Sequence, residues 1–262
     1  MKQLFGLTNL GSGSSGNATV IHGPEGNLLL DAGFSAKELI LRMTGAGLDP
    51  ASISGILISH GHSDHTKGCR VFADKFGIPV YATGVTGKIL HKKKQIPEQV
   101  VLFTPGSQFD LCGISVEPFT IPHDAEDTVA FVFRYEGHKI AVATDLGFVN
   151  TLTRSKLTAC DILMMESNHD RRLLMNSKRS LSLKRRIMGR FGHLSNEDAL
   201  DELPNLLTDR TRCLIFGHLS EECNDRELLE AMTLDRLNGM QRSDIMFQIA
   251  AQEYFLPTIW AI

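Results

Sequence analysis

Short apolar runs alternate along this chain with amphipathic stretches, and the two periods predict two kinds of element. In the first half, "NATVIHG", "NLLLDAG", "SGILISH" and "IPVYAT" are apolar runs bounded by turn residues, the pattern of strands. Between them, "SAKELILRMTGAG" and "TKGCRVFADKFG" space their apolar residues at helical intervals and stop at glycines, as helices commonly do. "VVLFTPGSQFDLCGISVEPFTIPHD" and "TVAFVFRYEGHKIAVATDLG" read as strand pairs, the second turning at "EGHK". The later chain alternates again. A strand at "DILMMES", helices around 180–190 and 195–206, a strand at "RCLIFGH" and a helix over 225–237 precede one or two closing strands in "SDIMFQIAAQEYFL". The one internal echo is the tetrapeptide "GHLS", at Gly192–Ser195 and again at Gly217–Ser220. Strands and helices interleaved throughout residues 1–262 predict a single α/β domain, with helices covering two sheets.

Composition narrows the class. With 42% apolar and 22% charged residues the chain has enough apolar material for a soluble protein's core. A net charge of -3 gives no global attraction to nucleic acid, so any such signal must be local. Five cysteines (Cys69, Cys112, Cys160, Cys213, Cys223) are odd in number and scattered without a C-x-x-C pair. That argues against a disulfide framework or a cysteine-built zinc site and for a reducing cytosol. No apolar run is long enough for a signal peptide or a membrane span, so a cytoplasmic protein with no membrane partner is expected.

One local asymmetry stands out. Arg171–Arg190, "RRLLMNSKRSLSLKRRIMGR", holds eight basic residues and no acidic one. A solvated helix face is the plain explanation; the functional one is a surface for a phosphate backbone, with Arg171, Arg172, Lys184, Arg185 and Arg186 as candidate contacts. "HKKK" at His91–Lys94 is a weaker patch that reads as surface. "GSGSSGN" at Gly11–Asn17 is a polar turn; no lysine follows to make it a phosphate-binding P-loop.

The densest chemistry lies in "LISHGHSDHTKG". It carries His60, His62, Asp64 and His65 directly after an apolar strand. In an extended turn His60 and His62 point the same way, and Asp64 and His65 fall beyond them toward a second position. Imidazole and carboxylate together suit zinc, manganese or iron. A complete coordination shell needs ligands from elsewhere, best placed at strand ends. His123 in "TIPHDAED", Asp145 in "IAVATDLG" and His218 in "CLIFGHLS" each follow an apolar strand.

This order of ligands resembles the metallo-β-lactamase superfamily across most of the chain, including "LLLDAG" with Asp31. The resemblance implies a four-layer αβ/βα sandwich and a site for two divalent cations, zinc ahead of manganese or iron. It implies that His60, His62 and His123 hold one cation, that Asp64, His65 and His218 hold the other, and that Asp145 bridges them. Asp31 would orient a histidine of the H-x-H-x-D-H loop. "GSGSSGN", "PHDAED", "ESNHD", "GHLSN" and "HLSEECN" are similar to the YycJ/WalJ subgroup, associated with 5′-to-3′ exonuclease activity. Cys223 departs from the asparagine expected in the last of these. The span from Asp145 to His218 is too short for the inserted domain of the β-CASP nucleases.

The expected function is therefore hydrolysis of phosphodiester bonds, with nucleic acid as partner and DNA ahead of RNA. Paired cations activate water beside Asp64. A small phosphodiester or a thioester is the alternative substrate. A diiron oxidoreductase is disfavoured because His62 stands where that chemistry would have a glutamate. A purely non-catalytic metal protein would be expected to have lost part of the ligand set. His193, in the first "GHLS", is the candidate general acid, comparable to a histidine of the tRNase Z branch, on a loop expected to be mobile. Ser195 follows as helix cap and candidate substrate contact, and Glu166 and His169 are expected behind the ligands.

Overall fold

The computed structural model describes residues 4–261, and its strands form two seven-stranded sheets. The first takes β1 (Gly6–Gly11), β2 (Ala18–Gly23), β3 (Gly26–Leu30), β4 (Ile53–Leu57), β5 (Val80–Thr83) and β6 (Val100–Phe103). The second takes β7 (Phe109–Leu111), β8 (Ile114–Thr120), β9 (Val129–Tyr135), β10 (His138–Ala143), β11 (Ile162–Glu166), β12 (Cys213–Gly217) and β13 (Met246–Ile249). A short β14 (Ile259–Trp260) returns to the first sheet and pairs with β1. Both sheets share one plan. β1–β3 and β7–β10 run antiparallel, whereas β3–β6 and β10–β13 run parallel.

Alternation along single strands builds the layers. In β3, Leu28 and Leu30 enter a cluster between the sheets with Leu57, Phe131 and Ile215, while Leu29 faces the opposite way. In β11, Ile162 and Met164 face that same inner cluster, and Leu163 and Met165 face outward. Outside the first sheet lie α1 (Ala36–Gly45), the single turn α2 (Ser63–Thr66), α3 (Cys69–Phe76) and α4 (Gly84–Lys92). Leu39, Phe72 and Leu90 from α1, α3 and α4 join Leu29 and Ile56 there. Outside the second sheet, α5 (Thr151–Leu157) packs with two later helices. Two short helices come first, α6 (Arg171–Asn176) and α7 (Leu181–Ile187), and then α8 (Asn196–Leu206) and α9 (Arg226–Gly239). Leu157, Leu203 and Leu237 from α5, α8 and α9 cover Leu163, Met165 and Leu214. The result is the expected four-layer αβ/βα sandwich. Among the described residues no helix is long and apolar enough to cross a membrane.

α6 and α7 form a basic strap set apart from these cores. Their apolar anchor is a separate cluster of Leu174, Ile187 and Cys223. Cys223 thus fills apolar space beneath the strap, where an asparagine would bring an amide. Two expectations change here. β1 was not marked by its sequence, because "GLTNLG" has little β-branched content, yet it is buried throughout between β14 and β2. In the C-terminal stretch only Met246–Ile249 is a strand, and closure of the first sheet falls to Ile259–Trp260.

Candidate metal centre

Strand ends supply the chemistry. Asp31 follows β3, Ser59 and His60 follow β4, His123 follows β8, Asp145 follows β10, Glu166 ends β11 and His218 follows β12. The open end of parallel strands is where such sheets gather functional groups. Asp31, Asp145 and His218 take left-handed backbone angles, with φ of 59°, 57° and 57°. This turns each chain sharply as it leaves the sheet, at some cost for a residue with a Cβ. Asp64 and His65 sit on α2, where His62 is the residue before the first helical position.

Seven expected ligands converge. The donor atoms of His60, His62 and His123 lie within 4.8 Å of one another, as do those of Asp64, His65 and His218. Asp145 reaches both sets, 3.4 Å from His123 Nε2 and 2.9 Å from His65 Nε2. Behind them, acceptors fix the histidine tautomers. The Ser59 hydroxyl donates to Asp31 Oδ2 at 2.8 Å, so His60 Nδ1, 3.0 Å from that hydroxyl, is the donor. His65 Nδ1 donates to Asp31 Oδ2 at 2.7 Å, His218 Nδ1 to Glu166 Oε1 at 2.7 Å, and His123 Nδ1 to the Gly192 carbonyl at 3.2 Å. Each of these four rings is left with Nε2 as its lone pair.

The residues fit divalent cations on two grounds. His60 Nε2 is buried without a hydrogen-bond partner, which is costly unless something else satisfies it, and the buried Asp145 Oδ2 faces only His65 Nε2 at 2.9 Å. The field has the right sign. Burial pushes His60 well below the usual histidine range. For His65 and His218 burial acts the same way but is outweighed, by Asp145 with Asp31 for the first and chiefly by Asp145 for the second, so both rise. Asp145 is held well below the carboxylate range by His218 and His65 despite its burial. An excess of negative charge that draws protons onto two buried imidazoles equally favours a cation in their place.

Beside the ligands opens a cleft lined by His62, Asp64, Asp145, His193 and His218 and walled by the strap. His193, expected on a mobile loop, is hydrogen-bonded through both its ring and its backbone. Its Nδ1 donates to Glu166 Oε1 at 2.8 Å, the oxygen that also takes His218, and its backbone N–H donates to Ile187 O at 2.8 Å. Glu166 Oε2 accepts the N–H groups of Leu146 and Leu194. Burial opposes ionisation of Glu166, but His193 and His218 outweigh it and hold the carboxyl low. His169 is buried with Nδ1 unpartnered, and burial pushes it down to about 4. It supports the first "GHLS" through its carbonyl, which accepts from Asn196 N at 2.8 Å.

Most expected substrate contacts lie elsewhere. Lys184 is buried, its ammonium spent on the carbonyls of Met175 and Ser177 at 2.7 and 2.8 Å, so it is a structural lysine. Ser195 is buried and caps α8, accepting from Asp198 N. Arg171 is turned onto Asp198 at 2.6 Å, and Arg172 and Arg185 are exposed off the cleft. Arg186 alone of the expected basic contacts lines it, joined by Arg179. The polar loop "GSGSSGN" braces the site: Ser12 Oγ accepts from His218 N and donates to Asn17 Oδ1, and Asn17 Nδ2 lies 3.1 Å from His65 Nε2. Asn17 closes the "GSGSSGN" motif, whereas Ser59 and Arg179 carry no motif of their own and are signalled only by a place beside a strand-end ligand and within a basic run.

Comparison with known proteins agrees with this geometry. Residues 26–215 match the β-lactamase superfamily domain. The chain is 37% identical over 221 residues to the exodeoxyribonuclease YycJ of Bacillus anthracis, covering 84% of each. It is 32% identical over 237 residues to the exodeoxyribonuclease WalJ of Streptococcus pneumoniae, covering 89% of this chain and 88% of that one. The metallo-β-lactamase fold protein YhfI of Bacillus subtilis superposes with a TM-score of 0.72 at 14% identity, covering 97% of this chain and 99% of that one.

Proposed function

We propose, from the premise that this chain belongs to the β-lactamase superfamily, that it is a metal-dependent exonuclease acting on DNA ahead of RNA. The observation that carries this reading is the convergence of seven histidine and aspartate donors from the strand ends of both sheets, in a chain related over most of its length to exodeoxyribonucleases. In this reading His60, His62 and His123 hold one divalent cation, Asp64, His65 and His218 hold a second, and Asp145 is shared. The donor set favours zinc, with manganese or iron accepted. When bound, such a pair supplies activated water at neutral pH and positive charge opposite the phosphoryl oxygens.

The chain's own groups do the rest. Asp31, Ser59, Glu166 and the Gly192 carbonyl keep protons on Nδ1, so that Nε2 atoms face the centre. Asp64 borders the cleft as an acceptor that orients the attacking water. His193, held by Glu166 with Nε2 free, donates a proton to the departing oxygen. Working from the 5′ end is the direction the sequence resemblance implies. Free cysteines among the described residues support a reducing, cytoplasmic setting. The test is degradation of end-labelled single- and double-stranded DNA by metal-loaded protein. Metal-dependent release of nucleotides is expected. Hydrolysis of bis(p-nitrophenyl) phosphate with no release from either polymer would replace this reading with a small-molecule phosphodiesterase.

A further inference from the structure

Arginine ion pairs in this protein differ in how much of the guanidinium they use, and several, such as Arg42 on Glu38 and Arg171 on Asp198, engage one nitrogen. Arg154 fills its fork on Glu202, through Nε at 2.9 Å and Nη2 at 2.8 Å, and Arg242 does the same on Asp244 at 2.9 and 3.1 Å. These are closed structural pairs. Arg179 and Arg186 are different. Arg179 gives Nε to Glu222 Oε2 at 2.9 Å and has only a long 3.5 Å contact from Nη2 to Ser220 Oγ. Arg186 gives Nε alone to Asp124 Oδ2. Both line the cleft that holds the candidate ligands. Arg179 is tethered beside the loop that follows His218, and Arg186 beside the residue that follows His123. Leu183 and Ile187 of α7 lie in the cleft wall between them.

We propose that Arg179 and Arg186 form a phosphate clamp that grips a DNA backbone on both flanks of the metal centre, with Glu222 and Asp124 as resident competitors that the backbone displaces. The proposal rests on the nuclease reading above. A phosphate offers a guanidinium two oxygens in the spacing of its fork, which neither acid uses here. The pairs to be exchanged are weak, because Glu222 and Arg186 are 50% and 62% exposed and solvent screens them. The strap stays in place during the exchange, because Leu174, Ile187 and Cys223 anchor it independently of the ion pairs. A polymer has enough backbone to meet both arginines along the one cleft, so the acids act as a filter that favours polymeric substrates.

The test is anisotropy of a labelled single-stranded oligodeoxynucleotide bound to the metal-loaded protein across a salt series, with DNA degradation measured in parallel. Arg179→Met and Arg186→Met are each expected to weaken binding about tenfold at low salt and to reduce the slope of log affinity against log salt by about 0.7. KM for the oligonucleotide should rise more than kcat falls. Arg172→Met, off the cleft, should bind as the parent does. Glu222→Gln should tighten binding severalfold, a gain that no folding defect produces. Unchanged affinity and salt slope in both arginine variants, in a protein that still degrades DNA, would overturn the clamp and leave the nuclease reading intact. Unchanged affinity in Glu222→Gln would overturn the competitor role. A parent protein that hydrolyses bis(p-nitrophenyl) phosphate but neither binds nor cuts DNA would remove both the nuclease reading and the clamp.

Discussion

The two "GHLS" loops are identical in sequence and differ in what carries them. The second leaves β12, so His218 inherits the rigidity of a buried strand and is only 3% exposed. A Cβ on Gly217 would meet Met164 Cε at 2.7 Å and Ser12 Oγ at 3.0 Å, both side-chain ends that can shift. The first leaves the strap. A Cβ on Gly192 would meet the carbonyls of Ile187 and Arg186 at 2.1 and 2.2 Å, so this glycine lets the end of α7 lie against the loop. His193 is accordingly 22% exposed and borders the cleft. The loops are nonetheless joined. Glu166 Oε1 takes both histidines, and the amides of Asn196 and Asn224 exchange two hydrogen bonds at 2.8 and 2.9 Å. Support, and not the tetrapeptide, divides the roles: the sheet-borne histidine suits a ligand and the strap-borne one an acid.

The sharpest way to break this division is His218→Ala. It should cost the protein one of two cation equivalents by elemental analysis and reduce DNA degradation to background. Full metal retention in that variant would end the ligand assignment. Next in size is His193→Ala, which should keep both equivalents while turnover falls by about 10²–10⁴-fold, the usual contribution of a positioned acid. If it lost metal as His218→Ala does, the two loops would share one role. Glu166→Gln should have the smaller effect of weakening metal affinity by about 10–100-fold, the scale for removing a group behind a ligand. Because that oxygen serves both loops, its effect on turnover should combine non-additively with His193→Ala. Simple additivity in the double variant would show that the loops are not coupled through Glu166.

Legibility followed locality. His60, His62, Asp64 and His65 stand within six residues, and His123, Asp145 and His218 each follow an apolar run that the sheet holds rigid, so their convergence could be read from order alone. Helices covering two sheets followed from the interleaved runs and the four-layer order from the family resemblance, and runs such as "NLLLD" and "DILMM" place alternate residues in different cores. What stayed hidden was formed between distant segments. Glu166 meets His193 27 residues away and His218 52 residues away, and nothing local marks it as the acceptor for both. A basic run does not say which of its members face the cleft. Lys184 and Arg186 count alike as charges, yet one is buried in the strap and the other lines the site.

The left-handed turn at His218 has a consequence for how this protein could evolve. A histidine there is held against its own backbone preference, whereas glycine adopts that conformation without strain. Asp31 and Asp145 share the predicament, and aspartate and histidine are both among the side-chain-bearing residues found there most often. Heat tolerance and activity therefore pull this position in opposite directions. His218→Gly and His218→Ala remove the same imidazole, so the difference between their melting temperatures isolates the backbone contribution. Glycine should melt higher, by the equivalent of about 1 kcal/mol; equal melting would mean the turn carries no strain. Selection for stability alone would favour glycine at this turn, so a histidine there is a signature of use.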